Sequence, residues 1–319
     1  MLVSHDTLDD LMYDVLGLLL KEPFDQNPTT GKCSEIIGVS LQLKCPRARI
    51  SRTETKGKVF SAIGELLWYL SKENNLDFIN HYIRKYDDYS EDGKTIYGGY
   101  GPRIFNMHRQ FDQIQNIINL LKVRPSSRRA VIQIFDAKDL NEEHKEIPCT
   151  CTLQFMIRNN KLEMCTYMRS NDAYIGLPHD VFCFTMLQEI IARTLNIELG
   201  YYYHFVGSLH LYEINKKQAE NFLKEGYQST TKVMSPMPLG NPWEAIEKIM
   251  DQERKIRLAI DIETEKLALD KYWMDILYLL KIYSLAKQEI VDINSIQDYK
   301  KKMSTKIFNT YIDQKLIKA

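Results

Sequence analysis

A cysteine directly behind a proline opens the stretch Ile147-Pro148-Cys149-Thr150-Cys151-Thr152-Leu153-Gln154-Phe155. Cys149, Cys151, Leu153 and Phe155 alternate with polar or small residues, a period of two that predicts a half-buried β-strand. Strict alternation puts Cys149 and Cys151 on one face. Pro148 has no N–H for a sheet ladder, so it marks a strand start or edge and leaves the next thiol at the strand's mouth, where it can meet a substrate. As a thiolate, such a group is a nucleophile, and nearby arginines lower a thiol's pKa. A structural thiol is the other reading. Candidate arginines flank the stretch: Arg128-Arg129 upstream, and Arg169 in Arg169-Ser170-Asn171-Asp172 downstream. Guanidinium forks suit phosphate, although a pair of surface charges reads the same way.

Two carboxyls add possible proton chemistry. Glu65 sits in the apolar run Gly57–Ser71, where Val59, Phe60, Ile63, Leu66, Leu67 and Leu70 predict a largely buried helix. A carboxylate there is either satisfied by a partner or has a raised pKa suited to acid–base work. Asp180 follows Gly176-Leu177-Pro178-His179 and precedes an apolar helix predicted over Val181–Leu195. At that position it reads equally as a helix cap.

The remaining elements have to position these groups. Periodicity predicts helices over 5–21, 75–90 and 109–122, and strands over 35–43, 130–135 and 198–214. A hairpin joins the Cys149 strand to 161–170 through Arg158-Asn159-Asn160-Lys161. Tyr97-Gly98-Gly99-Tyr100-Gly101-Pro102-Arg103 reads as an ordered irregular loop rather than a nucleotide-binding glycine motif. Asn27-Pro28-Thr29-Thr30-Gly31-Lys32 is a polar loop, and Arg47, Arg49, Arg52, Lys56 and Lys58 form a basic stretch. Residues 240–319 read as Lys-rich helices.

Composition narrows the class. The chain of 319 residues has 44% hydrophobic and 26% charged residues and a net charge of zero, ordinary for a globular protein. No global field calls for nucleic acid or an anionic membrane. No apolar stretch approaches the ~20 residues that span a bilayer. Six cysteines without a secretory leader read as reduced thiols in a cytoplasmic protein. Cys149-x-Cys151 lacks a second ligand pair, so no metal site is expected.

Taken together, the order of these pieces resembles the thymidylate synthase family, including its cytidylate (CMP/dCMP) 5-hydroxymethylase branch. The resemblance rests on Gly64-Glu65-Leu66-Leu67-Trp68-Tyr69-Leu70, Tyr97-Gly98, Arg128-Arg129, Pro148-Cys149 with Gln154-Phe155, Arg169-Ser170-Asn171-Asp172, Gly176-Leu177-Pro178 and Gly207-Ser208-Leu209-His210-Leu211-Tyr212. It implies an α/β (α+β) fold with a large mixed sheet packed against helices, and a homodimer joined sheet to sheet. The implied catalytic domain spans 1–235, with a helical extension over 236–319 packed on it. It also implies a pyrimidine nucleoside monophosphate as substrate and 5,10-methylenetetrahydrofolate as cosubstrate, with no metal.

By matching position, Cys149 resembles the nucleophile towards pyrimidine C6 and Glu65 the general acid/base. Tyr97 resembles a residue aiding proton abstraction. Arg169 and Ser170 match phosphate ligands within the subunit, and Arg128 and Arg129 match those a partner subunit supplies. Gln154 belongs to the same matched set around the substrate. His210 and Tyr212 match sugar contacts, and Asp172 lies beside base and folate. Ala173, small and next to it, could leave room for a ribose hydroxyl.

Three departures carry information. Asp180 stands where uridylate-using members carry asparagine, which points to cytosine. No short apolar tail closes the chain, and a tryptophan expected near Ile83 is not seen. A less sealed site would admit water and finish with a hydroxymethyl product. The phosphate-loop arginine expected near Asn27 is absent, leaving Lys32, Arg47, Arg49, Arg52 or Arg103 as substitutes. Reductive methylation of dUMP or dCMP, and a non-catalytic nucleotide- or RNA-binding regulator, are the competing readings.

Overall fold

The computed structural model describes residues 1–28, 31–51, 58–226, 233–260, 262 and 264–317. Thr29, Thr30, Arg52, Lys56 and Gly57, which figure in the expectations above, lie outside the described residues. Strands β1 (Leu2–His5), β2 (Cys33–Leu43), β3 (Ala130–Gln133), β4 (Thr150–Arg158), β5 (Lys161–Asp172) and β6 (Glu198–Tyr212) form one mixed sheet in the order β1-β2-β6-β5-β4-β3. The pairs β1–β2 and β5–β6 are parallel, and the other neighbours are antiparallel.

Among the described residues the α-helices are α1 (Leu8–Leu19), α2 (Val59–Leu70), α3 (Leu76–Tyr82), α4 (Tyr100–Phe105), α5 (Gln113–Val123), α6 (Gly176–Thr194), α7 (Lys216–Lys224), α8 (Trp243–Arg257), α9 (Lys271–Leu285), α10 (Ile293–Lys302) and α11 (Asn309–Ile317). None is long and apolar enough to cross a membrane.

Alternation along β5 and β6 sorts the sheet into two faces. Leu162, Met164, Thr166 and Met168, with Tyr202, His204 and Val206, are buried under α6 and α1. On the other face, register lines up Val131, Gln154, Cys165 and Tyr203 across four strands, with Tyr167 opposite Phe205 beside them. Val131, Tyr167 and Phe205 are exposed there.

Several expectations shift in detail. Cys151 sits at an irregularity in the β4–β5 pairing, between Thr150 and Thr152. Its carbonyl accepts the N–H groups of both Ile134 (2.9 Å) and Phe135 (3.3 Å), the two-against-one pattern of a bulge. Burial therefore slips phase, running through Thr150, Leu153 and Phe155, and strict alternation from Cys149 does not hold. The Tyr97–Arg103 segment is not wholly irregular, since α4 begins at Tyr100. The single helix expected over 75–90 breaks at Ile83 (φ −137°, ψ 91°) into α3 and a 3₁₀ turn, Arg84–Tyr89.

α6 begins at Gly176, five residues earlier than Val181. Asp180 therefore lies inside the helix rather than at its cap. The turn ahead of it is held by Asp172, whose Oδ1 accepts from the N–H groups of Tyr174 (2.7 Å) and Ile175 (2.8 Å).

The carboxy-terminal helices share the core. α8 and α9 pack on α2, Tyr82 donates to Glu253 (2.9 Å), and Tyr283 donates to the carbonyl of His81 (2.9 Å) while stacking on Phe60. Inside α6, Glu189 pairs with fully buried Arg49 and accepts the Met237 N–H (2.9 Å). Gly64 lets α3 approach α2: a Cβ there would sit 2.1 Å from Cγ of the Tyr82 ring. Gly64→Ala is expected to destabilise by about 1–3 kcal/mol through overpacking. Gly17→Ala, whose Cβ would meet only Leu223 Cδ1 at 4.0 Å, should instead stabilise α1 by about 0.5–1 kcal/mol. Urea midpoints at constant m-value check both signs.

Candidate active site

Cys149 stands at the foot of β4, half-buried, where Arg169 of β5 reaches across to it. The Arg169 backbone N–H donates to the Cys149 carbonyl (2.8 Å). Its guanidinium donates to the carbonyls of Pro148 (3.0 Å) and Ile147 (3.1 Å), and Nη2 lies 3.7 Å from Cys149 Sγ. The expectation that arginine lowers the thiol's pKa is met in sign and outweighed in size. Burial pushes the Cys149 thiol up to about 11, Arg169 opposes this, and the charges of Glu146, Asp180 and Cys151 add to the rise. At neutral pH the resting sulfur is therefore a thiol.

Glu65, on α2, is buried. Its Oε1 accepts from Tyr69 one helical turn on (2.8 Å) and from Tyr86 of the 3₁₀ turn (3.2 Å). Burial raises its pKa despite these two bonds, which favour the charged form. The helix break at Ile83 is what delivers Tyr86 to this carboxyl. Both readings of Glu65 thus hold at once: it is satisfied by partners and shifted towards neutrality.

Asp180 is partly accessible and is held from behind. Asn171 Nδ2 donates to its Oδ2 (2.8 Å). Asn171 Oδ1 must then accept, so His204 carries its hydrogen on Nε2 (2.9 Å) and His204 Nδ1 accepts from the Tyr202 hydroxyl (2.7 Å). Burial lowers the His204 pKa to about 3, so the ring is neutral and supplies one N–H, as this chain of bonds requires. Burial first, and then the Glu65 and Asp172 charges, raise Asp180 well above the usual carboxylate range, with the Asn171 bond opposing. Its free Oδ1 is the atom that can carry a proton towards a ligand.

Other expected residues are placed as follows. Ser170 Oγ lies 3.5 Å from His210 Nδ1, and Asp172 pairs with His210 across β5–β6. Tyr212 packs edge-on against His210. Arg128 and Arg129 are exposed just ahead of β3, and Gln154 donates to the Arg128 carbonyl (2.8 Å), tying that backbone to the sheet. Tyr97 donates to Asp139 (3.0 Å) under the Arg103 guanidinium. Ala173 is fully buried and its N–H is tied to the His210 carbonyl (2.8 Å), so it presents no surface to a sugar. Of the substitutes for the phosphate-loop arginine, Arg49 and Arg103 are committed to buried pairs with Glu189 and Asp139, while Lys32 is exposed and Arg47 is half-buried. Among the described residues, no three His, Cys, Asp or Glu side chains are grouped to hold a metal.

The family model described as thymidylate synthase matches residues 19–272. The chain belongs to the thymidylate synthase family. The match runs past the motifs quoted above, through α8 and to the start of α9. A deoxyuridylate hydroxymethyltransferase of Bacillus phage SP01 is 30% identical over 217 residues, which are 63% of this chain and 56% of that protein. The chain thus matches little more than half the length of that relative. A thymidylate synthase of Buchnera aphidicola subsp. Baizongia pistaciae is 28% identical over 212 residues, 65% of this chain and 80% of that one. The crystal structure of thymidylate synthase from T4 phage superposes with a TM-score of 0.62 at 21% identity, covering 75% of this chain and 91% of that one, a likeness of fold. These relatives fix the family and do not single out its cytidylate branch.

Sequence reasoning passed over Tyr86, the Asn171–His204–Tyr202 chain and Glu146. Asn171 was in plain view inside the Arg169–Asp172 run, but its partner lies on another strand. The raised Asp180 pKa has a stability consequence. Its folded value exceeds the unfolded one of ~3.9, so its contribution is full below about pH 3.9 and is lost as pH rises through the folded value. Asp180→Asn should match the parent in urea midpoint at the acid end and exceed it increasingly towards pH 8. A pH-independent difference would sink this account.

Proposed function

We propose that the protein transfers a one-carbon unit to C5 of cytidylate and finishes with a hydroxymethyl group. The observation that carries the choice of base is the Asp180 carboxyl. Its Oδ2 is occupied as an acceptor by Asn171, and its environment favours the acid form. A protonated Oδ1 donates to an acceptor, and cytosine N3 is an acceptor where uracil N3 is a donor. A cytidylate protonated at N3 would meet the carboxylate equally well. The base reading is further supported by the loss of the capping alternative, since α6 starts a full turn before Asp180.

In this reading Cys149 Sγ adds to C6, which gives C5 carbanion character. Glu65, shifted towards neutrality and linked to Tyr69 and Tyr86, moves protons between the ring and solvent. The Glu65 and Asp172 charges act on Asp180, and the acceptor oxygens of these three carboxyls suit the N–H-rich pterin of a reduced folate. When bound, methylenetetrahydrofolate supplies the one-carbon unit at the oxidation level of formaldehyde. Arg169 and Ser170 hold the phosphate end, with His210 and Tyr212 towards the sugar.

We further propose a homodimer. The sheet face bearing Val131, Tyr167, Tyr201 and Phe205 is open and apolar in the single chain, and exposed Arg128 and Arg129 stand beside it. Burying that face against a copy would let both arginines reach the neighbouring phosphate site.

Uridylate hydroxymethylation is the second reading, favoured by the 30% identity to the phage deoxyuridylate enzyme. Incubation with CMP, dCMP, UMP and dUMP plus methylenetetrahydrofolate separates the readings by product mass. A gain of one CH₂O unit on a cytosine nucleotide is expected. A gain of one CH₂ unit with dihydrofolate formed in step would overturn the hydroxymethyl reading. Cys149→Ser should abolish C5 hydrogen exchange and leave nucleotide binding detectable. Asp180→Asn should lower the cytosine-over-uracil ratio of kcat/KM by about 10²-fold, two mismatched polar groups at about 1–3 kcal/mol each. An unchanged ratio would remove Asp180 from base selection.

A further inference from the structure

A small cavity opens between the first turn of α2, the first two turns of α6 and residues 49–51. It has room for one group about the size of a water molecule. Arg49 lines it and is fully buried. The guanidinium gives Nη2 to Glu189, while its Nε and Nη1 have no hydrogen-bond partner in the protein. Ser51 Oγ, also on the lining, is buried and has none either. The lining reaches solvent at exposed Lys58, the N-cap residue of α2, whose side chain makes no capping bond.

The side chains around this space offer many donors and few acceptors. Arginine and lysine donate only. Ser51 and His179 are the lining side chains able to accept, and both His179 nitrogens are engaged. Nδ1 donates to the Ile175 carbonyl (3.0 Å), and Nε2 meets Ser61 Oγ (2.8 Å). The other lining side chains are apolar. A water molecule here would have two hydrogens of its own to place, with Ser51 Oγ as the side-chain acceptor left for them. An anion has none to place. Charge points the same way. Arg49 and Lys58 are two cations, and the first turn of α2 adds the partial positive charge of a helix N-terminus. Glu189 answers Arg49 alone, since its second oxygen accepts the Met237 N–H (2.9 Å).

We propose that this cavity binds one halide-sized anion, chloride in ordinary solution. An unmet N–H of Arg49, the Ser51 hydroxyl and the Lys58 ammonium donate to it, against the first turn of α2. Buried donors left unmet are costly, and more so on a charged group, so the occupant stabilises the folded chain. It also joins the starts of two helices, because Val59 and Ala62 of α2 face Pro178 and Phe182 of α6 across the same space. Those helices carry Glu65 and Asp180. A phosphate group exceeds the room, which separates this site from one for a nucleotide. The proposal holds whichever base the enzyme takes.

The test is the chloride dependence of stability in the full chain. Chloride is exchanged for gluconate, which is too large for the cavity, at constant ionic strength. Chloride at ten times its Kd should raise the folding equilibrium constant about tenfold, read as a higher urea midpoint at constant m-value. Lys58→Met keeps the apolar stem and drops the charge, and Ser51→Ala drops the hydroxyl. Each should cut that rise at least about threefold through a weaker Kd. Ser51→Ala carries the test should Lys58→Met fail to fold. Crystals grown in bromide should show an anomalous peak among Arg49, Ser51 and Lys58. A midpoint indifferent to chloride, or a rise equal in the parent and both variants, overturns the proposal. So does an ordered water at that place with no bromide signal.

Discussion

The guanidinium of Arg169 grips consecutive carbonyls of the chain that enters β4 and reaches the sulfur at its end. Pro148 cannot donate to a ladder, so this segment has no strand of its own to hold it. β5 holds it instead, through one side chain and one backbone bond. The same arginine opposes the burial that keeps Cys149 protonated. Position and electrostatics of the Cys149 thiol are therefore one interaction.

Desolvation is the common cause behind the rest of the site. It raises Glu65, Glu146, Asp180 and Cys149 together, and each carboxyl's charge raises a neighbour further. Such a cluster costs stability at neutral pH, where burial of several ionisable acids is least favourable. The core offsets this by joining the carboxy-terminal helices to α2 and α3 and by the close approach at Gly64. The carboxy-terminal helices thus brace α2, which carries Glu65 and Tyr69, and α3, which leads into the turn carrying Tyr86.

Much of this was legible in the chain because residue type and order suffice for some features. Cys149 behind Pro148 and Glu65 in an apolar helix needed no pairing information, whereas Asp180, expected ahead of a helix, lies inside α6. The hairpin and the long helices follow from periodicity. What escaped depends on contacts between segments. The bulge at Cys151 arises from the way β3 and β4 share one carbonyl, which no local pattern records. β1 is four residues long, too short for alternation to register. The break at Ile83 hides inside an aromatic-rich run that keeps helical composition. Glu146 reads as one more charge in a polar loop until Gly98 is seen beneath it.

The chain from Tyr202 through His204 and Asn171 to Asp180 fixes the direction of the hydrogen bond that joins β5 to α6 at this carboxyl. Turning the Asn171 amide would set its Nδ2 against the His204 Nε2–H. To relieve that, His204 must change tautomer and the Tyr202 hydroxyl must turn away. All of these groups are in or against the buried face of the sheet, so no solvent is at hand to relay the protons. The amide therefore keeps its nitrogen towards Asp180, Oδ2 remains an acceptor, and any proton on the carboxyl belongs to Oδ1. A base with an acceptor facing that atom meets a prepared donor. One with a donor there would meet a carboxyl whose surroundings favour the acid form. On the reading proposed above, discrimination would come from two adjacent strands fixing the direction of one hydrogen bond.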